Sequence, residues 1–415
     1  MTTRELWCCR ISAVDVRNSV TIVGASLAGL RGAETLRSDG FDGRITVVGD
    51  ETEAPYDRPP LSKQLLAGKW EVDRVALYRA ERLVELDLDF ELGVRATALD
   101  LRDRSLELDG HRRLPFDGLL IATGSSPRQL PNTPELEGIY TLRTLADSLA
   151  IRREFESGPR VVVVGAGFIG AEVAATARER GLDVIMIEAL PVPLGRVLGE
   201  QMGALCGDVH RDHGVDLRLG VGVDGFDGHQ RVERVRLSDG TAVDADVVIV
   251  GVGVAPNTSW LEGSGLTVDN GVLCDASCLA APGITAAGDV ARWPNERFDE
   301  VARVEHWDHA IDMGAHAARR LLQIDAEATP FTPVPFFWSD QYDRKIQLAG
   351  RPRPDDDVHI ATGSTAERRF AAMYARAGKL VAVLGFNRPR HVAQFRQLIV
   401  DGVSIDDALA FAAAN

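Results

Sequence analysis

Cysteine is scarce in this chain, and no Cys-x-x-Cys pair occurs among the five, which are Cys8, Cys9, Cys206, Cys274 and Cys278. Such spacing is too sparse for a disulfide framework. It also excludes a closely spaced redox dithiol as the carrier of electrons. Cys274 and Cys278 fall in a loop-like region and are read as small buried residues rather than as a metal or redox pair. Long apolar runs are missing too. A membrane-spanning helix needs roughly 20 predominantly apolar residues, and the best stretch, Val161 to Ala171, is interrupted by three glycines and followed by Glu172. The first 19 residues contain Trp7-Cys8-Cys9 but no long apolar segment and no small-residue cleavage site. They are expected to form a loose extension rather than a secretory signal. The chain is expected in the cytoplasm, without a membrane partner.

Basic charge is in deficit. There are 46 Lys and Arg against 61 Asp and Glu, a net charge of −15. That disfavours nucleic acid as a partner. It leaves room for a local basic face toward an acidic protein, and the tail supplies Arg344, Lys345, Arg388, Arg390 and Arg396 as candidates. The 415 residues, 45% of them hydrophobic, suffice for several globular domains.

What the chain does have is two glycine-rich beginnings. The first is Val20-Thr21-Ile22-Val23-Gly24-Ala25-Ser26-Leu27-Ala28-Gly29; the second is Val161-Val162-Val163-Val164-Gly165-Ala166-Gly167-Phe168-Ile169-Gly170. Each is a β-branched run, a glycine turn and an Ala-rich helical pattern. The first copy continues with a helix from Leu30 to Ser38 and a strand Ile45 to Val48, and the second with a helix from Ala171 to Arg180 and a strand Val184 to Ile187. Later apolar strands, Leu119 to Gly124 and Val247 to Gly253, complete the two copies. Near-continuous β-branched runs of this kind are buried parallel strands. One such unit binds one dinucleotide, so two in tandem suit a protein that holds two face to face.

The second copy carries all three glycines of the dinucleotide fingerprint. Gly165 makes the tight turn, Gly167 lets backbone approach a pyrophosphate, and Gly170 lets helix pack on strand. Glu188 ends the next strand, where a carboxylate accepts from a ribose and repels a 2′-phosphate. No basic residue follows in Ala189-Leu190-Pro191, which favours NADH over NADPH. In the first copy Ser26 stands at the middle position, and position 49, matching Glu188, is glycine. Asp50 is expected to reach the adenosine ribose, the alternative being a surface acidic turn. Gly288-Asp289 follows an apolar strand. Its carboxylate is either a helix N-cap or, given the two units upstream, a partner for a ribityl hydroxyl.

Three further motifs narrow the reading: Tyr56-Asp57-Arg58-Pro59-Pro60-Leu61-Ser62-Lys63, Arg303-Val304-Glu305-His306-Trp307, and Pro335-Phe336-Phe337-Trp338-Ser339-Asp340-Gln341-Tyr342. With the two glycine units they resemble the two-dinucleotide flavoprotein reductases, and within them the ferredoxin reductases of bacterial oxygenases, the putidaredoxin reductase and biphenyl-dioxygenase reductase group. The resemblance runs from about Val20 to Val400. It implies that FAD is touched by Gly24, Ser26, Ala28, Gly29, Asp50, Lys63, Ala96, Arg143, Asp289 and Trp307. It implies that NADH is held by Gly165, Gly167, Gly170, Glu188, Arg196 and Gly253. Lys63 and Glu172 are implied to meet beside the flavin. There a lysine stabilises the negative charge arriving with hydride, and Glu172 orients it. His306-Trp307-Asp308-His309 departs from the small apolar residues common at that place. Its two histidines have no third ligand nearby in sequence, so no metal is expected.

The expected architecture is α/β, with two tandem Rossmann-like dinucleotide-binding domains and a C-terminal α+β domain. Residues 1–123 and 257–330 form the FAD-binding part, 124–256 the NAD-binding part and 331–415 the C-terminal part. A turn is expected at Ala255-Pro256-Asn257, a short strand at Gly271 to Leu273, and a helix from Trp307 to Leu322. In the tail, strands are expected at Lys345 to Leu348, Arg369 to Tyr374 and Leu380 to Phe386, with a helix from Val392 to Val400. The function implied is transfer of electrons from NADH through FAD to a 2Fe-2S ferredoxin, which feeds a haem-thiolate monooxygenase or a Rieske dioxygenase. The alternatives are a rubredoxin reductase, an NADH-responsive flavoprotein resembling apoptosis-inducing factor, and an NADH oxidase or peroxidase. The last is disfavoured because no cysteine lies between Cys9 and Cys206. The oligomeric state is expected to be monomer or weak dimer.

Overall fold

The structure, a computed structural model, describes residues 18–323 and 325–414; most of the expected extension, with Cys8 and Cys9, lies outside the described residues. Its first sheet has six strands in the order Leu279–Ala281, Ile284–Ala286, Gly118–Ile121, Ser19–Val23, Arg44–Gly49, Asp89–Leu92. All neighbours are parallel except the Leu279–Ala281 edge. Val20, Ile22, Ile45, Val47, Leu119 and Leu120 are fully buried. Burial on both faces is why these strands read as unbroken apolar runs. The second sheet is wholly parallel, in the order Asp216–Leu219, Val184–Glu188, Val161–Val164, Val247–Val250, Ile139–Tyr140.

Both helices that follow the glycine turns start earlier than the sequence pattern suggests, at Leu27 and Phe168. The turn feeds directly into the helix. Ser26 and Gly167 serve as extended N-cap residues, and neither provides a side-chain cap. The first helical turn therefore keeps backbone N–H groups unclaimed by side chains, as an anion site requires.

The repeat goes deeper than the glycine turns. Each copy carries a three-stranded antiparallel meander between its helix-linked strands and its last strand. The first is Ala96–Asp100, Ser105–Leu108 and Arg112–Pro115; the second is Val223–Gly228, Val232–Leu237 and Ala242–Asp244. Charged residues break up their apolar pattern, and they escape a search for buried runs. The helix Gly195–Asp212 also went unexpected. Gly199, Gly203 and Gly207 lie within it, and Gly199 has φ +76°. Glycine inside a helix weakens the propensity signal.

The turn expected at Ala255-Pro256-Asn257 is instead the end of a strand. Val254–Pro256 pairs antiparallel with Ser125–Pro127, so the two crossings between the sheets run side by side. A two-stranded ribbon tolerates proline because each strand has an open edge.

The C-terminal sheet is antiparallel, in the order Phe336–Gln341, Arg344–Gly350, Lys379–Phe386, Arg369–Arg376, Asp357–Ser364. Its helix starts at Pro389, where a proline suits the first turn, and stops at Gly402 with φ +69°. A last helix, Ile405–Ala414, was not foreseen.

The helix Trp307–Leu322 crosses the helix Leu27–Ser38 at very close range. A Cβ placed on Gly314 would sit 2.4 Å from the Ala28 carbonyl oxygen, which is fixed backbone. Overpacking of this kind costs about 1–3 kcal/mol. Gly314→Val is expected to lower the urea midpoint accordingly, whereas an unchanged midpoint would show that the two helices separate freely.

Candidate functional site

A cavity of about 810 Å³ runs along the C-terminal edge of the first sheet. One end is the Gly24 turn. Gly24 has φ +122°, and a Cβ there would lie 2.0 Å from the Ala122 carbonyl oxygen. Gly29 is just as constrained, its would-be Cβ 2.0 Å from the Gly24 carbonyl, though it stands behind the wall rather than in it. Ser26, Ala28, Asp50 and Ala96 line the same end. Asp50 is exposed and accepts a hydrogen bond from Arg95 at 2.9 Å.

Midway, Asp289 gathers two donors on one oxygen: Ser125 Oγ at 2.7 Å and Arg143 Nη2 at 3.1 Å. Further along, Glu172 is buried, 5% exposed, and takes donors from three directions. Lys63 Nζ donates to Oε2 at 2.6 Å, Ser62 Oγ to Oε2 at 2.5 Å, and Ser339 Oγ to Oε1 at 2.8 Å. These groups come from the 3-10 turn Pro59–Ser62 and its cap, the helix Phe168–Glu179, and the C-terminal strand Phe336–Gln341.

The far end is aromatic. Trp307 and Trp338 meet edge to face, with ring centroids 5.7 Å apart, and Trp307 Nε1 donates to Asp57 Oδ1 at 2.7 Å. Phe337 packs against Phe168 at 4.2 Å. Burial holds the Asp57 and Glu305 carboxyls above their ordinary range.

The Tyr56-to-Lys63 segment is braced by its own polar groups. Tyr56 donates to Glu51, and Arg58 reaches Glu51, Tyr56 and, at 2.8 Å, the Arg143 carbonyl. Two prolines then start the short turn that presents Ser62 and Lys63. Glu51, Ser62, Ser125 and Ser339 belong to the site's framework, and none was singled out from the sequence. Ser62 and Ser339 sit inside motifs that were noted, but only the fold reveals that both aim at Glu172.

The second glycine turn lies elsewhere. Gly165 has φ +97° and a Cβ would lie 2.4 Å from the Gly251 carbonyl; at Gly170 it would lie 2.1 Å from the Gly165 carbonyl. At Gly167 the nearest atom would be 4.0 Å away, so open space faces the helix start. Glu188 lies over this turn, accepting from Ala166 N at 2.8 Å and Leu190 N at 2.9 Å. Arg196 is exposed at the start of its helix, and Gly253, φ +99°, has open space around it. None of these six residues lines the large cavity, which meets the helix after this turn through Phe168, Ile169 and Glu172.

Cys206, Cys274 and Cys278 are buried, unpaired and absent from the cavity wall. Burial pushes the Cys206 and Cys274 thiols up to about 12. Of the five basic tail residues, three already face acids: Arg344 with Asp343 at 2.6 Å, Lys345 with Asp340 at 3.5 Å, and Arg396 with Asp308 at 3.5 Å. Arg390 is exposed. Among the described residues no cluster of three His, Cys, Asp or Glu is arranged to hold a metal ion, and no helix is long and apolar enough to cross a membrane.

Residues 18–314 match the family model described as pyridine nucleotide-disulphide oxidoreductase. The chain belongs to the pyridine nucleotide-disulphide oxidoreductase family. Residues 336–414 match a second model, described as reductase C-terminal. The chain is 38% identical over 397 residues to the 5,5'-dehydrodivanillate O-demethylase ferredoxin reductase subunit of Sphingobium sp., covering 94% of this chain and 95% of that one. It is 35% identical to putidaredoxin reductase of Pseudomonas putida, over 95% of each. Among solved structures, the covalent putidaredoxin reductase–putidaredoxin complex superposes with a TM-score of 0.90 at 34% identity, covering 94% of this chain and 95% of that one. The ferredoxin reductase of the CYP199A2 system from Rhodopseudomonas palustris gives 0.89 at 35%, covering 94% and 97%. Within a family described by a disulphide, this oxidoreductase has no cysteine among the described residues of its cavity wall.

Burial keeps three histidines neutral: it lowers His306 and His309 to about 3 and His210 to about 4. From there up to their ordinary 6.5, the unfolded chain binds protons that the folded protein does not. Stability therefore rises with pH through this window and is fully present above it. Asp308, raised from 3.8 to about 6 by burial, acts in the opposite sense, as do Asp57, Glu305 and Asp312, whose carboxyls burial also raises, while His316 and His391, lowered by burial, act with the first three histidines. Urea midpoints are expected to climb between about pH 4 and about pH 7, with a shallower climb in His309→Phe. An unaltered slope in that variant would remove His309 from the account.

Proposed function

We propose that this chain is an NADH-dependent ferredoxin reductase that carries FAD in the large cavity and passes single electrons to a 2Fe-2S ferredoxin. That ferredoxin serves a haem-thiolate monooxygenase or a Rieske dioxygenase. The observation that carries the reading is one cavity whose wall brings together a phosphate-type glycine turn, a lysine–carboxylate pair and two tryptophans, with no cysteine among the described residues that line it. The named relatives favour the same activity, since they are ferredoxin reductases of oxygenase systems.

The residues present fit the cofactor. The cavity has the upper-end volume of a cofactor site, and a side chain at Gly24 would collide with backbone. Gly24, Ser26, Ala28 and Gly29 would form the pyrophosphate turn, with Asp50 and Ala96 at the adenosine end. Asp289, oriented by Ser125 and Arg143, would accept from the ribityl chain. Trp307, steadied by Asp57, would close the isoalloxazine end. When bound, FAD takes two electrons together from a nicotinamide and gives them up one at a time. Lys63 then supplies a positive charge at the cavity wall where negative charge arrives, and Glu172 holds its ammonium in place. NADH would lie on the second turn, with its pyrophosphate in the space beside Gly167. Glu188 favours a plain ribose over a 2′-phosphate, and Arg196 and Gly253 frame the approach. With no cysteine among the described residues of the wall, Trp307 and Trp338 would flank the route by which electrons leave.

In this reading residues 1–123 and 257–330 carry FAD, 124–256 carry NADH, and 331–415 form the face that meets the ferredoxin. The enzyme works in the cytoplasm as a monomer or weak dimer. The test is stopped-flow mixing of the purified yellow protein with NADH, followed by cytochrome c reduction with and without 2Fe-2S ferredoxins. Fast bleaching and ferredoxin-dependent reduction are expected. Lys63→Met is expected to retain FAD and to bleach roughly 10²-fold more slowly. A colourless wild-type protein that takes up no FAD overturns the proposal.

A further inference from the structure

Resting on that reading, we infer that Tyr374 of the C-terminal module is a positioning residue for NADH. Its hydroxyl fixes the short turn at residues 194–199, which presents Arg196 to the dinucleotide. The module thus serves the nicotinamide side as well as the ferredoxin side.

The turn comes soon after the strand Val184–Glu188, at the carboxyl edge of the second parallel sheet. That is the edge at which an open α/β sheet takes its ligand. Arg196 is exposed there and has no hydrogen-bond or ion-pair partner among the described residues. A free guanidinium is suited to phosphate oxygens. Its reach is set by the backbone beneath it.

That backbone is unusual at both ends. Leu194 enters with φ +56°, and Gly199 leaves with φ +76° and ψ 176°, far from the helical region. A leucine stays in the left-handed region only where its surroundings hold it there. Those surroundings are the C-terminal sheet. Leu194 and Leu198 are buried in one cluster with Phe370, Leu384 and Phe386, and no buried member of that cluster comes from the second parallel sheet.

Two polar contacts then fix the break in the helix. The Leu198 carbonyl accepts from Tyr374 Oη at 2.9 Å. Tyr374 lies on the strand Arg369–Arg376 and is 1% exposed. Burial raises its hydroxyl well above the ordinary range, so the proton stays available to donate. At Gly199 a Cβ would lie 3.1 Å from the Pro354 carbonyl oxygen. The loop that bears Pro354 is itself clamped, because Arg376 reaches both Asp356 carboxylate oxygens at 2.7 Å and the Arg351 carbonyl at 3.0 Å. One strand of the C-terminal module therefore steadies both sides of the break, just past Arg196.

The test is calorimetric titration of the purified flavoprotein with ADP-ribose, the part of NADH without its nicotinamide, beside stopped-flow bleaching by NADH. Tyr374→Phe keeps the ring and removes the hydroxyl. It is expected to weaken ADP-ribose roughly fivefold, as for one lost hydrogen bond, and to raise the NADH concentration for half-maximal bleaching by the same factor. The bleaching rate at saturating NADH and the flavin spectrum are expected to stay as in the wild type. Gly199→Ala, which presses on the Pro354 carbonyl, is expected to act in the same sense. In an Arg196→Ala background neither change is expected to weaken ADP-ribose further, because the group they position is gone. Arg368→Ala cuts the ion pairs with Asp208 and Asp212 farther along the same helix and is expected to leave the affinity unchanged. An unchanged affinity in Tyr374→Phe, an equal loss in the Arg196→Ala background, or an equal loss in Arg368→Ala would reduce Tyr374 to a packing residue and overturn the inference. A wild-type protein that binds ADP-ribose and is bleached by NADH keeps the function reading intact in each case.

Discussion

The Glu172 carboxylate is the point on which the three parts of this chain agree. A buried charge is costly unless it is paired and hydrogen-bonded, and removing one partner of such a group costs about 3–5 kcal/mol. Here the partners arrive from three places. Lys63 and Ser62 come from the proline-led turn after the first glycine unit, Glu172 itself from the helix of the second, and Ser339 from the C-terminal sheet. No part can shift alone without leaving a donor or the carboxylate short. A polar requirement, beside the apolar contact of Phe168 with Phe337, sets how the parts meet around Glu172.

The opposite end follows another logic. At the Gly24 turn the constraint is steric, since only a residue without Cβ fits beside the Ala122 carbonyl. Elsewhere on the wall, Asp289 is aimed by Ser125 and Arg143, and Trp307 by Asp57. Backbone shape therefore governs the Gly24 turn, and directed hydrogen bonds govern the groups around Asp289, Glu172 and Trp307. Such a division fits a cofactor that is held permanently and works at one extremity.

Much of the fold was legible because its signals are local. A β-branched run, a glycine turn and an Ala-rich helix lie within a few dozen residues, and the strands are buried on both faces. Helix starts were displaced, since the turn residues Ser26 and Gly167 already cap them. The meanders were lost because each is half exposed, with Arg and Glu filling the outer positions of Val232–Leu237. The helix Gly195–Asp212 was hidden by its own glycines. The framework of the site was less legible for a different reason. Ser62 and Ser339 are ordinary residues in sequence, and Glu172 lies far from both along the chain. Their meaning comes from a meeting of strand and helix that no short motif encodes. The basic tail shows the converse. As a list of residues it looks like a cationic face, yet Arg344, Lys345 and Arg396 spend part of their charge on neighbouring acids.

The side-by-side crossings at Ser125–Pro127 and Val254–Pro256 bear on how the chain is made. The first sheet needs Ile284–Ala286 beside Gly118–Ile121, and those residues leave the ribosome only after the whole of the second sheet has emerged. The inserted unit, with all its strands between Ile139 and Val250, has its full set of partners first. Domains fold as units during synthesis. The later-completed sheet thus closes around a neighbour already formed, and Leu119 waits through that interval with one edge bare. The two-stranded crossing brings the ends of the insertion together, so that when residue 284 arrives its partner strand is already close by.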